Sequence, residues 1–123
     1  MEFGRLLQER QLNVTWALPS GTRSEVLDSE VTALLAETGC RYLVYAAESG
    51  SKRMLKYIRK MVKLPRMARS MFDAKRNGLH LRCNLMIGFP KEQRRDAWQT
   101  LEAFGADPAA SLGIGRSIFD RSR

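Results

Sequence analysis

Residues 41–51, RYLVYAAESGS, contain an apolar, β-rich run from Arg41 to Ala47, a carboxylate at Glu48 and a turn-forming Ser49-Gly50-Ser51. Such a run, bounded by a Gly/Ser turn, predicts a buried strand. Ser51 is placed to cap a following helix. This order of strand, polar loop and helix is typical of one β/α unit of a parallel sheet.

Two similar runs flank this unit, from Leu12 to Leu18 and from Leu79 to Ile87. A polar, turn-rich segment and then apolar residues at helical spacing follow each of the three strands. Because strand and helix alternate, the predicted fold class is α/β, with about three parallel strands and flanking helices.

Four helices are predicted around these strands. Asp28 is the expected cap of the first, which Gly39 ends. The second begins near Ser51, and the fourth runs from about Glu92 to Phe104. Pro65 suits the first turn of the third, which Asn77-Gly78 closes. The apolar positions are Met54, Leu55, Ile58 and Val62 in the second helix and Met67, Met71, Phe72 and Ala74 in the third.

The length of 123 residues limits the architecture. Parallel strands are normally covered on both faces, and a complete β/α barrel needs roughly 200 residues or more. We therefore expect residues 1–104 to form a partial TIM-like barrel. Residues 105–123 are rich in Gly, Ala, Ser and Arg, with little periodicity, and predict an irregular tail, disordered or frameshifted.

Composition excludes several classes of protein. The 21 Lys and Arg against 13 Asp and Glu give a net charge of +8, and 44% hydrophobic residues favour a folded globular chain. The longest uncharged apolar run, Leu43 to Ala47, is far shorter than the roughly 20 residues that span a bilayer. Residues 1–10 do not resemble a secretory signal. Cys40 and Cys83, 43 residues apart, match no zinc or redox spacing, so a cytoplasmic location is expected.

The loops after the strands are the expected binding region, because ligands bind at the carboxyl ends of parallel strands. These loops are 19–23, 48–51 and 88–92. Glu48 directly follows a strand, where a carboxylate suits two hydrogen bonds from the hydroxyls of a ribose. The alternative is that Glu48 pairs with a nearby Lys or Arg. Glu92 is favourable near a helix start for the helix dipole alone.

The spacing of these motifs resembles the second half of the radical S-adenosylmethionine barrel, in the branch often fused to a cobalamin-binding domain. The resemblance covers roughly residues 12–102. The matching residues are Gly39-Cys40, Glu48-Ser49-Gly50-Ser51, Leu55, Lys60, Gly78, Ile87-Gly88-Phe89-Pro90, Glu92, Asp96 and Thr100, with Trp16 and Arg23 more loosely placed. Neither ESGS nor GFPKE is specific alone.

The resemblance implies a set of cofactor contacts but no catalytic residue or metal ligand in this chain. Glu48 is expected to reach the ribose of S-adenosylmethionine, and the strand end at Gly88 to pack against the adenine. Arg23 would approach the cofactor carboxylate or a substrate, and Lys60 either closes the site or is solvated. The implied binding residues are Glu48, Ser49, Gly50, Ser51, Gly88, Phe89, Pro90 and Arg23.

The family's [4Fe-4S] cluster is held by three cysteines at a C-x-x-x-C-x-x-C spacing, which Cys40 and Cys83 do not reproduce. The intact family reaction cleaves S-adenosylmethionine reductively to methionine and a 5′-deoxyadenosyl radical. The chain is therefore expected to be a gene fragment, a frameshifted gene or a pseudogene product, without independent catalysis. Whether the parent protein has a cobalamin-binding domain is a question that these residues leave open.

A second function is favoured by the basic stretch from Ser51 to Arg82, which holds 11 Lys or Arg and one acid, Asp73. Such a segment is typical of a small nucleic-acid-binding module, although a solvated helix face explains the same charges.

His80 lies near the start of a strand, away from the catalytic end, and is expected to be non-catalytic. Trp16 and Trp98 are predicted to be packing residues.

Overall fold

The computed structural model describes residues 2–19, 23 and 27–104, so the predicted tail at 105–123 lies outside the described residues. In chain order the elements are α1 (Glu2–Glu9), β1 (Trp16–Leu18), α2 (Ser29–Glu37), β2 (Cys40–Glu48), α3 (Lys52–Tyr57), α4 (Leu64–Arg76), β3 (His80–Leu85) and α5 (Arg94–Phe104). The three strands form one sheet in the order β1-β2-β3. Both pairs are parallel, which confirms the predicted α/β class.

The hydrophobic core lies on one face of this sheet. Alternate residues of β2, namely Leu43, Tyr45 and Ala47, are fully buried. They pack with Leu35 of α2, with Met67, Met71 and Ala74 of α4, and with Phe104 of α5. Leu81, Cys83 and Leu85 of β3 join the same cluster. Since side chains alternate across a strand, helices α2, α4 and α5 cover the face that these residues share.

The predicted caps are confirmed. The Asp28 carboxylate accepts from the N–H of Val31 at 2.9 Å and begins α2. The Ser51 side chain caps α3, and Pro65 lies in the first turn of α4. Helix α4 ends at Asn77-Gly78, where Gly78 has a φ of +78°.

Gly39, which ends α2, is required by its position. Its φ is +92°, and a Cβ there would lie 2.1 Å from the carbonyl oxygen of Val14. The Gly39 carbonyl also accepts from the N–H of Trp16 at 3.0 Å. The end of α2 and the start of β1 therefore pack backbone against backbone, which only glycine permits.

Several predicted boundaries are wrong. Helix α3 ends at Tyr57, not near Val62, because Arg59 adopts a φ of +56°. The N–H of Lys60 then donates to the carbonyl of Leu55 at 2.8 Å, a Schellman-type ending. The ladder of β1 begins at Trp16 rather than Leu12, and that of β3 ends at Leu85 rather than Ile87.

Two predicted packing residues are exposed instead, and one helix was not predicted. Phe72 is 48% and Trp98 59% exposed. Helix α1 escaped prediction because it is short and amphipathic, without a capping signal. The ring of Phe3 meets that of Trp16 edge to face, with centroids 5.1 Å apart. Within the described segments, no helix combines the length and the apolar character that crossing a bilayer requires.

Candidate functional site

The ends of β2 and β3 lie side by side, as expected for neighbouring parallel strands. The N–H of Met86 donates to the carbonyl of Glu48 at 2.8 Å. The register shifts between Ala46 and Glu48, and Glu48 has a φ of +67°. A positive φ is uncommon for a residue other than glycine. The loop after β2 is therefore held in an unusual backbone conformation at the predicted ribose-binding carboxylate.

The Glu48 carboxylate is near a cation. Its Oε1 lies 3.4 Å from Nζ of Lys60, and the side chains are 23% and 33% exposed. The alternative interpretation of Glu48, as the partner of a lysine, is thus present in the structure. A partly exposed pair of this kind contributes little to stability. A carboxylate has about four acceptor sites, so the ion pair leaves capacity for hydroxyl donors.

Ser49 and Ser51 point their side chains into the protein, against α5. Both are fully buried. The hydroxyls of Ser49 and Thr100 are 3.0 Å apart, and the N–H of Gly50 donates to Thr100 Oγ1 at 2.9 Å. The hydroxyl of Ser51 donates to Asp96 Oδ1 at 2.7 Å. These two serines therefore fasten the loop that carries Glu48, and their predicted contact with a cofactor stays a prediction.

Gly50 is required by the closeness of α5. A Cβ at this position would lie 2.7 Å from both the carbonyl oxygen of Gln99 and the Cα of Thr100. These are backbone atoms, which cannot swing away as the end of a flexible side chain can. Glycine therefore allows the helix to approach the loop closely enough for the bonds to Thr100.

Asp96 is the centre of this contact. It is 1% exposed and pairs with Arg53 through two bonds, one of them 3.1 Å from Nε to Oδ1 and the other from Nη2 to Oδ2. The N–H of Gln93 donates to Asp96 Oδ2 at 2.9 Å. The Arg53 guanidinium, together with the Ser51 hydroxyl, holds the pKa of Asp96 well below its usual range. Asp96 is thus a buried, fully charged anchor.

Asp96 and Thr100 were predicted only as motif positions, and no role was predicted for Arg53. A signal for the first two was available, since residues four apart share one face of a helix. In the structure Asp96 bonds to Ser51 and Thr100 to Ser49. The side chain of Arg53 crosses to α5 and donates to the carbonyl of Lys91 at 2.8 Å. Nothing local in the sequence indicates that contact.

The third predicted loop leaves room at its strand end. Gly88 is exposed, has a φ of +104°, and a Cβ there would meet no atom within 4 Å. Its N–H donates to Oε2 of Glu92, which closes the loop. Phe89 is half-buried and Pro90 exposed. Arg23, after β1, is also exposed, and its approach to a ligand stays a prediction.

The cysteines do not fit an iron–sulfur cluster. Cys40 opens β2, whereas Cys83 pairs with Tyr45, five residues further along that strand, which separates the thiols by roughly 16 Å along the sheet. Burial raises the pKa of Cys40, and it raises the pKa of Cys83 to about 11, which disfavours thiolates. Within the described residues no three His, Cys, Asp or Glu side chains are grouped for a metal ion.

The basic stretch is largely exposed. Nine of its eleven cations are exposed, and Arg53 and Lys60 are the two half-buried members. Both of these are paired with carboxylates, of Asp96 and Glu48. His80 is the exposed first residue of β3, which confirms its predicted place at the start of a strand.

Comparison with known proteins relates the chain to methyltransferases. It is 34% identical over 113 residues to cytidylyl-2-hydroxyethylphosphonate methyltransferase of Streptomyces wedmorensis, an alignment that covers 89% of this chain and 21% of that protein. It is 28% identical over 96 residues to an uncharacterized methyltransferase of Pyrococcus horikoshii, covering 78% of this chain and 20% of that protein. The chain thus spans about a fifth of the length of these relatives. No protein-family model matches it.

Proposed function

We propose that this chain forms the part of a radical S-adenosylmethionine methyltransferase that binds the ribose and adenine of S-adenosylmethionine. Glu48 accepts hydrogen bonds from the ribose hydroxyls, and the adenine lies over the strand end at Gly88. The similarity to two methyltransferases supports a reaction that uses this cofactor. Within this proposal the chain contributes contacts to the cofactor, and its two thiols are not assigned to a cluster.

The observation that carries this proposal is the placement of Glu48 and Gly88 at adjacent parallel strand ends. A half-buried carboxylate stands at one end, and open space stands beside a glycine at the other. The Met86–Glu48 backbone bond of 2.8 Å joins the two. Ligands of α/β sheets bind at such edges, where neighbouring loops converge.

The residues around Glu48 supply rigidity. Ser49, Gly50 and Ser51 are tied to α5, which fixes the loop before a ligand arrives. A group held in its binding geometry by packing binds more tightly, because less conformational entropy is lost. In this scheme Lys60 closes one side of the site, because its ammonium group lies 3.4 Å from the carboxylate of Glu48.

Calorimetric titration of the chain with S-adenosylmethionine tests the ribose contact. We expect saturable binding and a loss of about tenfold or more in affinity for Glu48→Gln, because a hydrogen bond to a charged group contributes more than a neutral one. Glu37→Gln is the matched control, an exposed glutamate at the end of α2, and should bind as the parent chain does. Equal affinity of the Glu48 and Glu37 variants would refute the ribose contact.

A matched pair of glycine substitutions tests the adenine contact. Gly88 and Gly78 both have positive φ and open space where a side chain would go. Gly88→Leu should abolish binding by filling the adenine position, whereas Gly78→Leu should carry the same backbone strain and still bind. Binding by both variants would place the adenine elsewhere.

A second candidate function is nucleic-acid binding, favoured by the exposure of nine cations between residues 51 and 82. Fluorescence anisotropy with a generic oligonucleotide, read at several salt concentrations, tests it, since phosphate contacts weaken steeply as salt rises. Removal of charge at Arg66, Arg69 and Arg76 should then lower affinity, while Glu48→Gln should not. Absence of salt-dependent binding at low ionic strength would exclude this function.

A further inference from the structure

The face of β3 that points away from the core is polar. His80, Arg82 and Asn84 are all exposed, and they alternate with the partly buried Leu81, Cys83 and Leu85. The latter three pack against the hydrophobic core, so the former three share the opposite face. One face of β3 is therefore suited to a polar environment.

The neighbouring strand continues this face. Tyr42 pairs with His80, Val44 with Arg82 and Ala46 with Asn84 in parallel register. Successive side chains on one face of a strand are about 6.7 Å apart. Arg82 is thus the middle of a short row of hydrogen-bonding side chains, flanked across the sheet by small or apolar residues. We refer to His80, Arg82, Asn84 and Tyr42 as the polar row.

The charge of the polar row is of one sign. On this face, between Tyr42 and Ala46 of β2 and between His80 and Asn84 of β3, the charged group is the guanidinium of Arg82, and these positions include no carboxylate. Arg82 forms no ion pair with any described residue.

A parallel strand that protein covers on both faces is apolar on both. The interior of a packed β/α barrel is likewise filled by branched apolar side chains. A polar row on the face without helices α2, α4 and α5 does not match either environment. It matches a face that lines a ligand cavity, where a few polar groups provide specificity among apolar walls.

We propose that the polar row binds the anionic group of the methyl-accepting substrate, a phosphonate or phosphate, with Arg82 as its principal contact. A guanidinium offers two parallel donors that match two oxygens of such an anion. His80 and Asn84 supply further donors on either side. This inference rests on the proposed function for the identity of the substrate, but the anion site itself does not.

The polar row is separate from the S-adenosylmethionine site. Arg82 is level with Val44, four residues before Glu48 along β2, which corresponds to about 13 Å. The two ligands would therefore approach the same sheet without sharing a contact residue. Variants of Arg82 and of Glu48 should affect different ligands, which allows the two ideas to fail independently.

Two-dimensional 1H–15N NMR titration of the chain with methylphosphonate, and separately with inorganic phosphate, tests the site. We expect saturable shifts centred on residues 80–84 and about tenfold or more weaker binding for Arg82→Gln. The affinity of Arg82→Lys should lie between those of the parent chain and Arg82→Gln, because lysine keeps the positive charge but lacks the two parallel donors of a guanidinium. Arg95→Gln changes an exposed arginine on α5, outside the basic stretch, and is the matched control that should bind as the parent chain does.

The outcomes are distinct. An absence of shifts, or an equal loss in the Arg82 and Arg95 variants, overturns the anion site. Shifts spread evenly over the exposed cations of α3 and α4 also overturn it, since they indicate charge attraction alone. Arg82→Gln should keep S-adenosylmethionine affinity, and Glu48→Gln should keep methylphosphonate affinity. Failure of S-adenosylmethionine to bind while methylphosphonate binding persists refutes only the proposed function.

Discussion

The hydroxyl of Ser51 donates a hydrogen bond of 2.7 Å to Asp96 Oδ1, across 45 residues of sequence. Ser51 is the cap of α3, and Asp96 lies in the first turn of α5. One carboxylate thereby joins the starts of two helices, and Arg53 from the first turn of α3 neutralises it. The two sequence motifs that follow β2 and β3 are thus parts of one buried contact.

The first prediction concerns the Asp96 contact. Asp96→Asn should lower the melting temperature by roughly 5–15 °C, because an amide keeps the shape but weakens every charge-assisted bond that the carboxylate accepts. Circular dichroism during thermal unfolding measures it. Glu102→Gln, an exposed acid of the same helix, is the control and should melt within about 2 °C of the parent chain. Equal melting of all three proteins would contradict the role of Asp96.

The low pKa of Asp96 predicts a specific acid sensitivity. Because its pKa in the folded chain is below the ordinary value of about 3.9, the stability that it contributes is present above about pH 4. That contribution is lost as the pH falls from there through the pKa in the folded chain. The difference in melting temperature between the parent chain and Asp96→Asn should therefore shrink between about pH 5 and pH 2. A difference that stays constant with pH would argue against the depressed pKa.

Gly50→Ala should cost about 3 kcal/mol of folding free energy, at the upper end for overpacking, because the added methyl meets backbone atoms of α5 at 2.7 Å. Gly78→Ala is the control that has backbone strain without a steric clash, because Gly78 has a φ of +78° and a Cβ there would meet no atom within 4 Å. Its cost should be only about 1–2 kcal/mol. Urea unfolding measures both. A Gly50 variant less destabilised than the Gly78 variant would mean that α5 moves aside easily.

Arg59→Gly should stabilise the chain by about 1 kcal/mol. Arg59 holds the left-handed position of a Schellman ending, with a φ of +56°, where glycine escapes the steric penalty of a Cβ. Lys56→Gly, inside α3, should instead destabilise by about 1 kcal/mol. Urea midpoints of the two variants should therefore move in opposite directions. Movement of both towards lower urea would show that the Arg59 side chain contributes more than its backbone costs.

The thiol of Cys83 should resist alkylation. Its pKa of about 11 leaves roughly one part in a thousand as thiolate at pH 8, and only the thiolate reacts. Iodoacetamide labelling followed by mass spectrometry should show slow modification of Cys83 in the folded chain and rapid modification in urea. Fast labelling without denaturant would indicate that β3 opens locally.

Much of the fold follows from local patterns. The helix caps at Asp28 and Ser51 and the glycine ending at Gly78 were predictable, because each depends on hydrogen bonds within a few residues. The early end of α3 was not, since Ile58 and Val62 continue the apolar spacing while Arg59 turns the backbone. Trp98 shows the same limit, because apolar spacing on α5 does not reveal which side of the helix meets the core.

The candidate site divides in the same way. The strand ends, and hence the nearness of Glu48 and Gly88, follow from the alternation of strand and helix in a parallel sheet. The pairing of Glu48 with Lys60 was foreseen only as an alternative. The inward direction of Ser49 and Ser51 was not foreseen, because it depends on a helix that begins more than 40 residues later.

By itself, the sequence determined the α/β class, the order of its strands and helices, and the loops that end at one edge of the sheet. Those properties depend on periodicity and capping, which act over a few residues. Only the tertiary structure decided that ESGS packs into α5, that Asp96 is buried with Arg53, and that β3 presents Arg82 opposite to the core. These depend on distances between residues far apart in the chain, which packing sets and local propensity does not.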